Sequence, residues 1–403
     1  MLTARVAAAM LRVMSFSLKR LVVVTAVMCS LASRAMPASG APADTARWDA
    51  AAAARYLDAR MDLWWTNAKV LKTGDADARC ISCHTAVPYA LARPSLRRVA
   101  GETTPTAHEQ RIAETAKLRV EVGAARQPFY DNSEDKKRES RGVESVLNAL
   151  VLTSRDANRR DTGVSPDTQA ALSQMWSAQR ADGSWDWLNF GLEPYEAPDA
   201  VFHGAALAAM AAGTASHLAS TSNTRATDAG VDRLRTFLST NVSSQRLFNQ
   251  AWALLAAGQL DGVLSGTQRD AVVRALKERQ RPDGGWSMAD LGAWHWDKTE
   301  APFSSPGTTD ASLLATSDGY ATGLVVYALR RGHVPASDAS VVNARAWLTS
   351  HQQTGTVTDP AWAPWRAHSL NFDREHGGPK GEAWRRMFMS DLATAFAVLG
   401  LSE

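Results

Sequence analysis

Cys80, Cys83 and His84 stand in the run Cys80-Ile81-Ser82-Cys83-His84, and their types and spacing name a chemistry. Two intervening residues put both thiols on one side of a single turn, and an imidazole follows at once. Thiols so placed can add to the two vinyl groups of a porphyrin, and the next residue then supplies the iron's proximal ligand. Read this way, the run holds one covalent haem c, attached through Cys80 and Cys83, with His84 as the metal ligand. Two other uses of the pair stand beside it. A redox dithiol is expected in a βαβ setting, and structural zinc needs four ligands. The surrounding sequence has no βαβ pattern and no second Cys pair.

Several residues are candidates to complete such a site. No Met lies between His84 and Met175, so the distal position is either open or filled from afar by Met175, His203, Met210 or His295. Tyr89, Arg93 and Arg97 follow the run closely enough to reach haem propionates, or to be the solvated face of a short helix. The pair Trp64-Trp65 is expected to shield one haem edge. His376, in a Gly- and Pro-rich segment, is expected to be solvated. Beyond its Cys-x-x-Cys-His pentapeptide the segment does not resemble cytochrome c.

Composition narrows the setting. The chain has 403 residues, 45% hydrophobic and 21% charged, which suits a globular protein rather than a disordered or fibrous one. Residues 1–43 hold Arg5, Arg12, Lys19, Arg20 and Arg34 and no acid; removing those five leaves 39 basic against 41 acidic residues, a net charge of −2. Without a basic surplus, nucleic-acid binding is not expected. Lys19-Arg20, the apolar stretch Leu21–Leu31 and Ala41-Pro42-Ala43 read as a secretory signal peptide, cleaved after Ala43. Its apolar core is well short of the roughly 20 residues that span a bilayer, so no stable membrane span is expected. Of the three cysteines Cys29 lies in this leader, and the two that remain are too few for a disulfide framework. The product is expected in the periplasm or outside the cell.

The elements that must position the site are helical. Residues 46–70 read as a helix, 126–142 as a polar surface loop, and the chain from 143 onward as apolar helices broken by Gly, Pro and Asp. No run alternates with period two, so the expected class is all-α. An internal repeat recurs: an acid or amide followed by a small, apolar helix, beginning at Glu144, Asp199, Asn249, Asp318 and Asp391. Each leading residue is placed to cap its helix. Helices apolar nearly all round should be buried on every side. A second repeat runs from Gln179 through Asp182-Gly183 to Trp185, and from Gln280 through Asp283-Gly284 to Trp286. A weaker copy begins at His351-Gln352-Gln353 and ends near Trp362.

These Gln-x-x-Asp-Gly-x-Trp turns resemble the QW repeats of the squalene–hopene cyclase and oxidosqualene cyclase superfamily. The resemblance covers about residues 143–401. It implies an α/α toroid of helical hairpin repeats, with inner helices ringed by outer ones. The acidic Asp-x-Asp-Asp motif of those cyclases is absent. Asp199 and His203, at the start of an inner-type helix, are the weak catalytic candidates that remain, Asp199 doubling as a cap. Trp185, Trp187, Trp286, Trp294 and Trp296 either line a cavity or pack turns.

The expectation is therefore a leader (1–43), a small helical haem-attachment region (44–142) docked on its neighbour, and a toroid (143–403). The function expected is that of an exported c-type haem protein. It would transfer electrons to a redox partner protein, or act as an oxidoreductase on an apolar small molecule held by the toroid. A lipid or terpenoid cyclase without the usual acid, and a non-catalytic module binding an apolar ligand, are the alternatives.

Overall fold

The structure, a computed structural model, describes residues 47–73, 76–125, 127–159, 163–218, 225–294, 314–371, 374–375 and 383–403. The expected leader, His295, Trp296 and His376 lie outside these residues. The chain is mostly helical, as its patterning requires. The helices are α1 (Ala50–Asn67), α2 (Ala86–Ala100), α3 (Ala107–Val122), α4 (Glu134–Ala157), α5 (Pro166–Ser177) and α6 (Ala200–Leu218). They continue as α7 (Arg225–Asn241), α8 (Leu247–Ala257), α9 (Gly266–Glu278), α10 (Gly319–Arg331), α11 (Ala339–Ser350) and a C-terminal helix (Phe388–Ser402). One small departure from an all-helical chain is an antiparallel hairpin, β1 (Val70–Thr73) with β2 (Ala76–Arg79), in which Val70 faces Arg79.

Local chemistry starts these helices. Asp49, Ser133 and Asp338 accept first-turn N–H groups, and Ser165 does so with Pro166 at the first helical position. Thr106 with Glu109, and Ser265 with Gln268, form capping boxes. Asp318 caps α10 as its repeat position implies, accepting from Tyr320 N and Ala321 N.

Glu144, Asn249 and Asp391 do not behave this way. Glu144 lies in the middle of α4, buried, with Arg119 Nη2 3.0 Å from its Oε2. The expected surface loop therefore ends at residue 133, and the boundary drawn at 142/143 falls inside a continuous helix. Asn249 sits in the first turn of α8 behind Arg246, and Asp391 in the first turn of the C-terminal helix behind Met387. Both are buried and bonded to side chains from other parts of the chain. The sequence pattern located an acid or amide beside an apolar helix; it could not distinguish a cap from a buried polar partner of a distant side chain.

Neighbour relations follow a simple order. Helix α2 packs against α4, α4 against α6, α6 against α8, α8 against α10, α10 against the C-terminal helix, and that helix against α2. These are the helices buried nearly all round; α10 is buried from Gly319 to Leu329. The others, α1, α3, α5, α7, α9 and α11, each pack on the next one of this set in the chain or its neighbour. They are half-exposed; α9 buries only Val272 and Leu276.

The Gln-to-Trp turns have one construction. Gly183 and Gly284 adopt left-handed φ values of 95° and 91°, which glycine alone adopts without strain. Gln179 Nε2 donates to Gly183 O within its turn and to Gly230 O of α7; Gln280 Nε2 donates to Gly284 O and to Ser340 O of α11. Trp185 and Trp286 are fully buried and donate to Met175 O and Leu276 O, at the ends of the preceding helices. In the weak third copy, Gln352 exchanges two bonds with the Asp49 backbone at the start of α1. Its tryptophan is Trp365, which donates to Leu348 O, and not the expected Trp362.

Candidate cofactor site

The hairpin delivers Cys80 to its place. Cys80 N donates to Lys69 O at 3.1 Å, one step past the β1–β2 ladder, and Cys80 O accepts from Trp64 Nε1 at 2.8 Å. The next turn enters α2. Ser82, between the two cysteines, supplies the cap: its Oγ accepts from Thr85 N at 3.2 Å and Ala86 N at 3.1 Å. Thr85 is the residue before the helix, yet its hydroxyl caps nothing. The third helical residue is Pro88, which has no N–H to offer. The Thr85 hydroxyl is therefore free for another task.

That task links His84 to the far end of the chain. His84 Nδ1 lies 3.0 Å from Thr85 Oγ1, which donates to Asp391 Oδ2 at 2.8 Å. Asp391 also accepts from Tyr56 OH at 2.9 Å and from Arg60 through Nε (2.6 Å) and Nη2 (3.2 Å). Phe388, one helical turn before Asp391, stacks on the His84 ring at 3.6 Å and 19°, and Trp64 meets the ring edge-on at 5.3 Å. His84 Nε2 makes no hydrogen bond with the described residues.

His84 opens on a cleft of about 490 Å³, within the roughly 300–1,000 Å³ of small-molecule sites. Trp64, Tyr130, Phe190, Trp384 and Phe388 make its aromatic walls. Arg374 and Arg385 reach the same space from the C-terminal side. Arg374 Nε is buried without a hydrogen-bond partner among the described residues, and its guanidinium lies over the Phe388 ring. Cys80 lines an adjoining small hollow that shares Tyr130 as a wall. Cys83 is half-buried at the turn, and neither cysteine is in a disulfide.

Electrostatics suits ligation better than thiol redox chemistry. Burial, then Glu144 and Glu196, pushes the Cys80 thiol up to about 12, and burial pushes Cys83 up as well. Both are protonated thiols near neutral pH, unlike the low-pKa cysteines of redox dithiols. Burial, then Arg374, Arg60 and Arg385, holds His84 well below the usual histidine range, so its imidazole is neutral, the form that binds metals. Burial and the nearby Arg385 lower Arg374, while Glu196 offsets part of the effect. Among the described residues no three His, Cys, Asp or Glu side chains gather into a metal cage.

The residues present fit a haem: two thiols, a neutral imidazole with one nitrogen unengaged, aromatic walls for a macrocycle and guanidinium groups for its carboxylates. Other expected contributors are elsewhere. Tyr89 OH donates to Asp58, Arg93 pairs with Asp58 and Glu102, and Arg97 pairs with Glu109. These groups bind α2 to α1 and α3 instead of facing the cleft. Trp64 lines the cleft, but Trp65 turns away to donate to His108 Nδ1. Met175, Met210 and His203 are buried in helix packing and do not line the cleft. Asp199 Oδ2 lies 3.2 Å from Arg246 Nε in an ion pair and is partly exposed, outside any dry cavity. His203 is enclosed by Trp187, Tyr195, Phe248 and Trp252, and burial holds it down to about 3. Trp187 and Trp294 donate to Tyr195 O and Met288 O and pack their own loops.

Sequence reasoning missed Thr85, Asp391, Arg60, Phe388 and Arg374. Only Thr85 carried a local signal, as a hydroxyl followed by Pro at the third helical position. No helix among the described residues is long and apolar enough to cross a membrane. No protein-family model matches the chain, and no curated protein is significantly similar to it.

Proposed function

We propose that this chain is an exported c-type haem protein that transfers single electrons to and from a redox partner protein, built on an α/α toroid. Cys80 and Cys83 would carry the thioether bonds, His84 would be the proximal ligand, and Arg374 and Arg385 would face the carboxylates of the macrocycle. When bound, the haem supplies a one-electron couple. The chain's own residues do the rest. Phe388 and Trp64 hold the imidazole plane, Thr85 engages Nδ1, and the aromatic walls exclude water from one side of the cleft.

The observation that carries this reading is the convergence, on one aromatic cleft, of cationic side chains and a neutral histidine whose Nε2 no described residue engages, with Cys83 next to that histidine in the chain and Cys80 lining the adjoining hollow. The toroid is supported by the succession of helix neighbours from α2 through the C-terminal helix and back to α2. On this reading α1–α2 would be the first of six hairpins, and the haem-bearing segment would belong to the ring rather than dock on it. His203, Phe248, Trp252, Tyr320 and Phe396, carried on α6, α8, α10 and the C-terminal helix, pack on one another and would fill the middle of such a ring. The electron-transfer reading is therefore preferred to chemistry on an apolar compound held inside.

The test is expression of the full chain with a c-type maturation system, followed by mass measurement and a reduced-minus-oxidised spectrum. The expected product carries one haem that survives denaturation, and Cys80→Ser with Cys83→Ser abolishes it. A colourless product with the mass of bare polypeptide overturns the reading.

A further inference from the structure

We propose that Asp391, acting through Thr85, is a positioning residue for His84: it fixes the ring as the Nδ1–H tautomer and leaves Nε2 as the nitrogen available to a metal. The use of that nitrogen rests on the haem reading above; the tautomer does not.

Hydrogen-bond accounting carries the argument. The Thr85 hydroxyl has one hydrogen, and the Asp391 carboxylate 2.8 Å away can only accept it. Thr85 Oγ1 is left with lone pairs for His84 Nδ1 at 3.0 Å, so the ring nitrogen is the donor. A proton on Asp391 would reverse this order, but the carboxylate already takes Tyr56 OH and two guanidinium N–H groups of Arg60, which keeps its proton. The hydroxyl is available because Ser82 caps the turn and Pro88 has no N–H.

The C-terminal helix contributes twice. Phe388 and Asp391, three residues apart, lie on one face of its first turn. Phe388 stacks on the imidazole while Asp391 orients the hydroxyl that accepts the ring's Nδ1–H hydrogen bond. A carboxylate behind a ligating histidine fixes its tautomer and raises its basicity. Here a threonine hydroxyl stands between the two, so the effect reaches His84 through one intervening group.

The variants are Thr85→Val, which keeps shape and removes the hydroxyl, and Thr85→Ser, which keeps the hydroxyl. In the haem-free chain, 15N NMR of His84 should report Nδ1–H for wild type and Thr85→Ser. Thr85→Val should shift it toward Nε2–H. In the haem-loaded protein, Thr85→Val should raise the midpoint potential by about 59 mV or more, a tenfold change in the oxidised-to-reduced ratio. Thr85→Ser should stay near wild type. Asp391→Asn should move the potential the same way; if it does not fold, Thr85→Val still decides. A haem-loaded Thr85→Val protein with wild-type tautomer and potential overturns the inference and leaves the haem reading standing. A chain that takes no haem but keeps Nδ1–H at His84, lost in Thr85→Val, overturns the haem reading and supports the tautomer assignment.

Discussion

Arg60 grips Asp391 as a fork, with Nε 2.6 Å from Oδ1 and Nη2 3.2 Å from Oδ2, and both side chains are almost wholly withdrawn from water. The pair joins α1 to the first turn of the C-terminal helix. Burial pushes the Asp391 carboxyl upward, and Arg60, Thr85 and Tyr56 draw it back. Arg60→Met leaves the carboxylate buried without its counter-charge, which costs about 3–5 kcal/mol. Arg60→Met combined with Asp391→Leu should cost less than Arg60→Met alone, because no lone charge remains. Urea unfolding of the single and double variants checks this, and a double variant weaker than Arg60→Met would refute it.

Gly183 and Gly284 occupy equivalent turns at left-handed φ. A Cβ at Gly183 would lie 2.3 Å from Arg233 O, while at Gly284 the nearest atom, Asn343 O, is 2.9 Å away. Both alanine variants should be destabilised by about 1–3 kcal/mol through backbone strain, Gly183→Ala the more because the carbonyl it meets is closer and must move further. Thermal unfolding of the two variants side by side gives the order. Equal midpoints would mean that the surrounding helices yield more easily than their packing implies.

What the sequence shows of this fold is what is local. The Asp-Gly turns, the Asp318 cap and the spacing of Cys80, Cys83 and His84 are set by residues within a few positions of one another. Asp391 repeats the pattern of Asp318, an acid before Leu392 and a small apolar run, yet its partners are Tyr56, Arg60 and Thr85, more than 300 residues earlier. Glu144 fails as a cap for the same reason, since its partner Arg119 comes from α3. The cleft beside His84 is equally non-local, being closed by Arg374, Trp384 and Phe388 from the other end of the chain. A single sequence without its contact map carries no sign of that pairing.

Gln352 clasps both backbone groups of Asp49, accepting from N at 2.6 Å and donating to O at 2.8 Å. It repeats the bridges that Gln179 and Gln280 make to α7 and α11. Gln352→Ala removes two solvent-exposed bonds and should cost about 1–2 kcal/mol. Hydrogen exchange should quicken first at the amides that follow Asp49 in α1. Unchanged exchange there would show that the clasp contributes nothing to holding α1.

His203 gives the fold an acid sensitivity of its own. Its ring is 1% exposed, Nδ1 has no hydrogen-bond partner among the described residues, and burial holds its pKa down to about 3. An unfolded chain protonates the same group near the ordinary histidine value of about 6.5. Between those two values the unfolded state binds a proton that the folded state refuses, so stability falls as pH falls. The contribution is fully present above about 6.5 and declines by about 1.4 kcal/mol for each unit below it. From pH 7.5 to pH 5 the wild type should therefore lose about 2 kcal/mol more unfolding free energy than His203→Gln, which cannot take up the proton. Urea titrations of both proteins at the two pH values measure this difference directly. Parallel losses would mean that His203 accepts a proton without unfolding, and that its aromatic enclosure admits water.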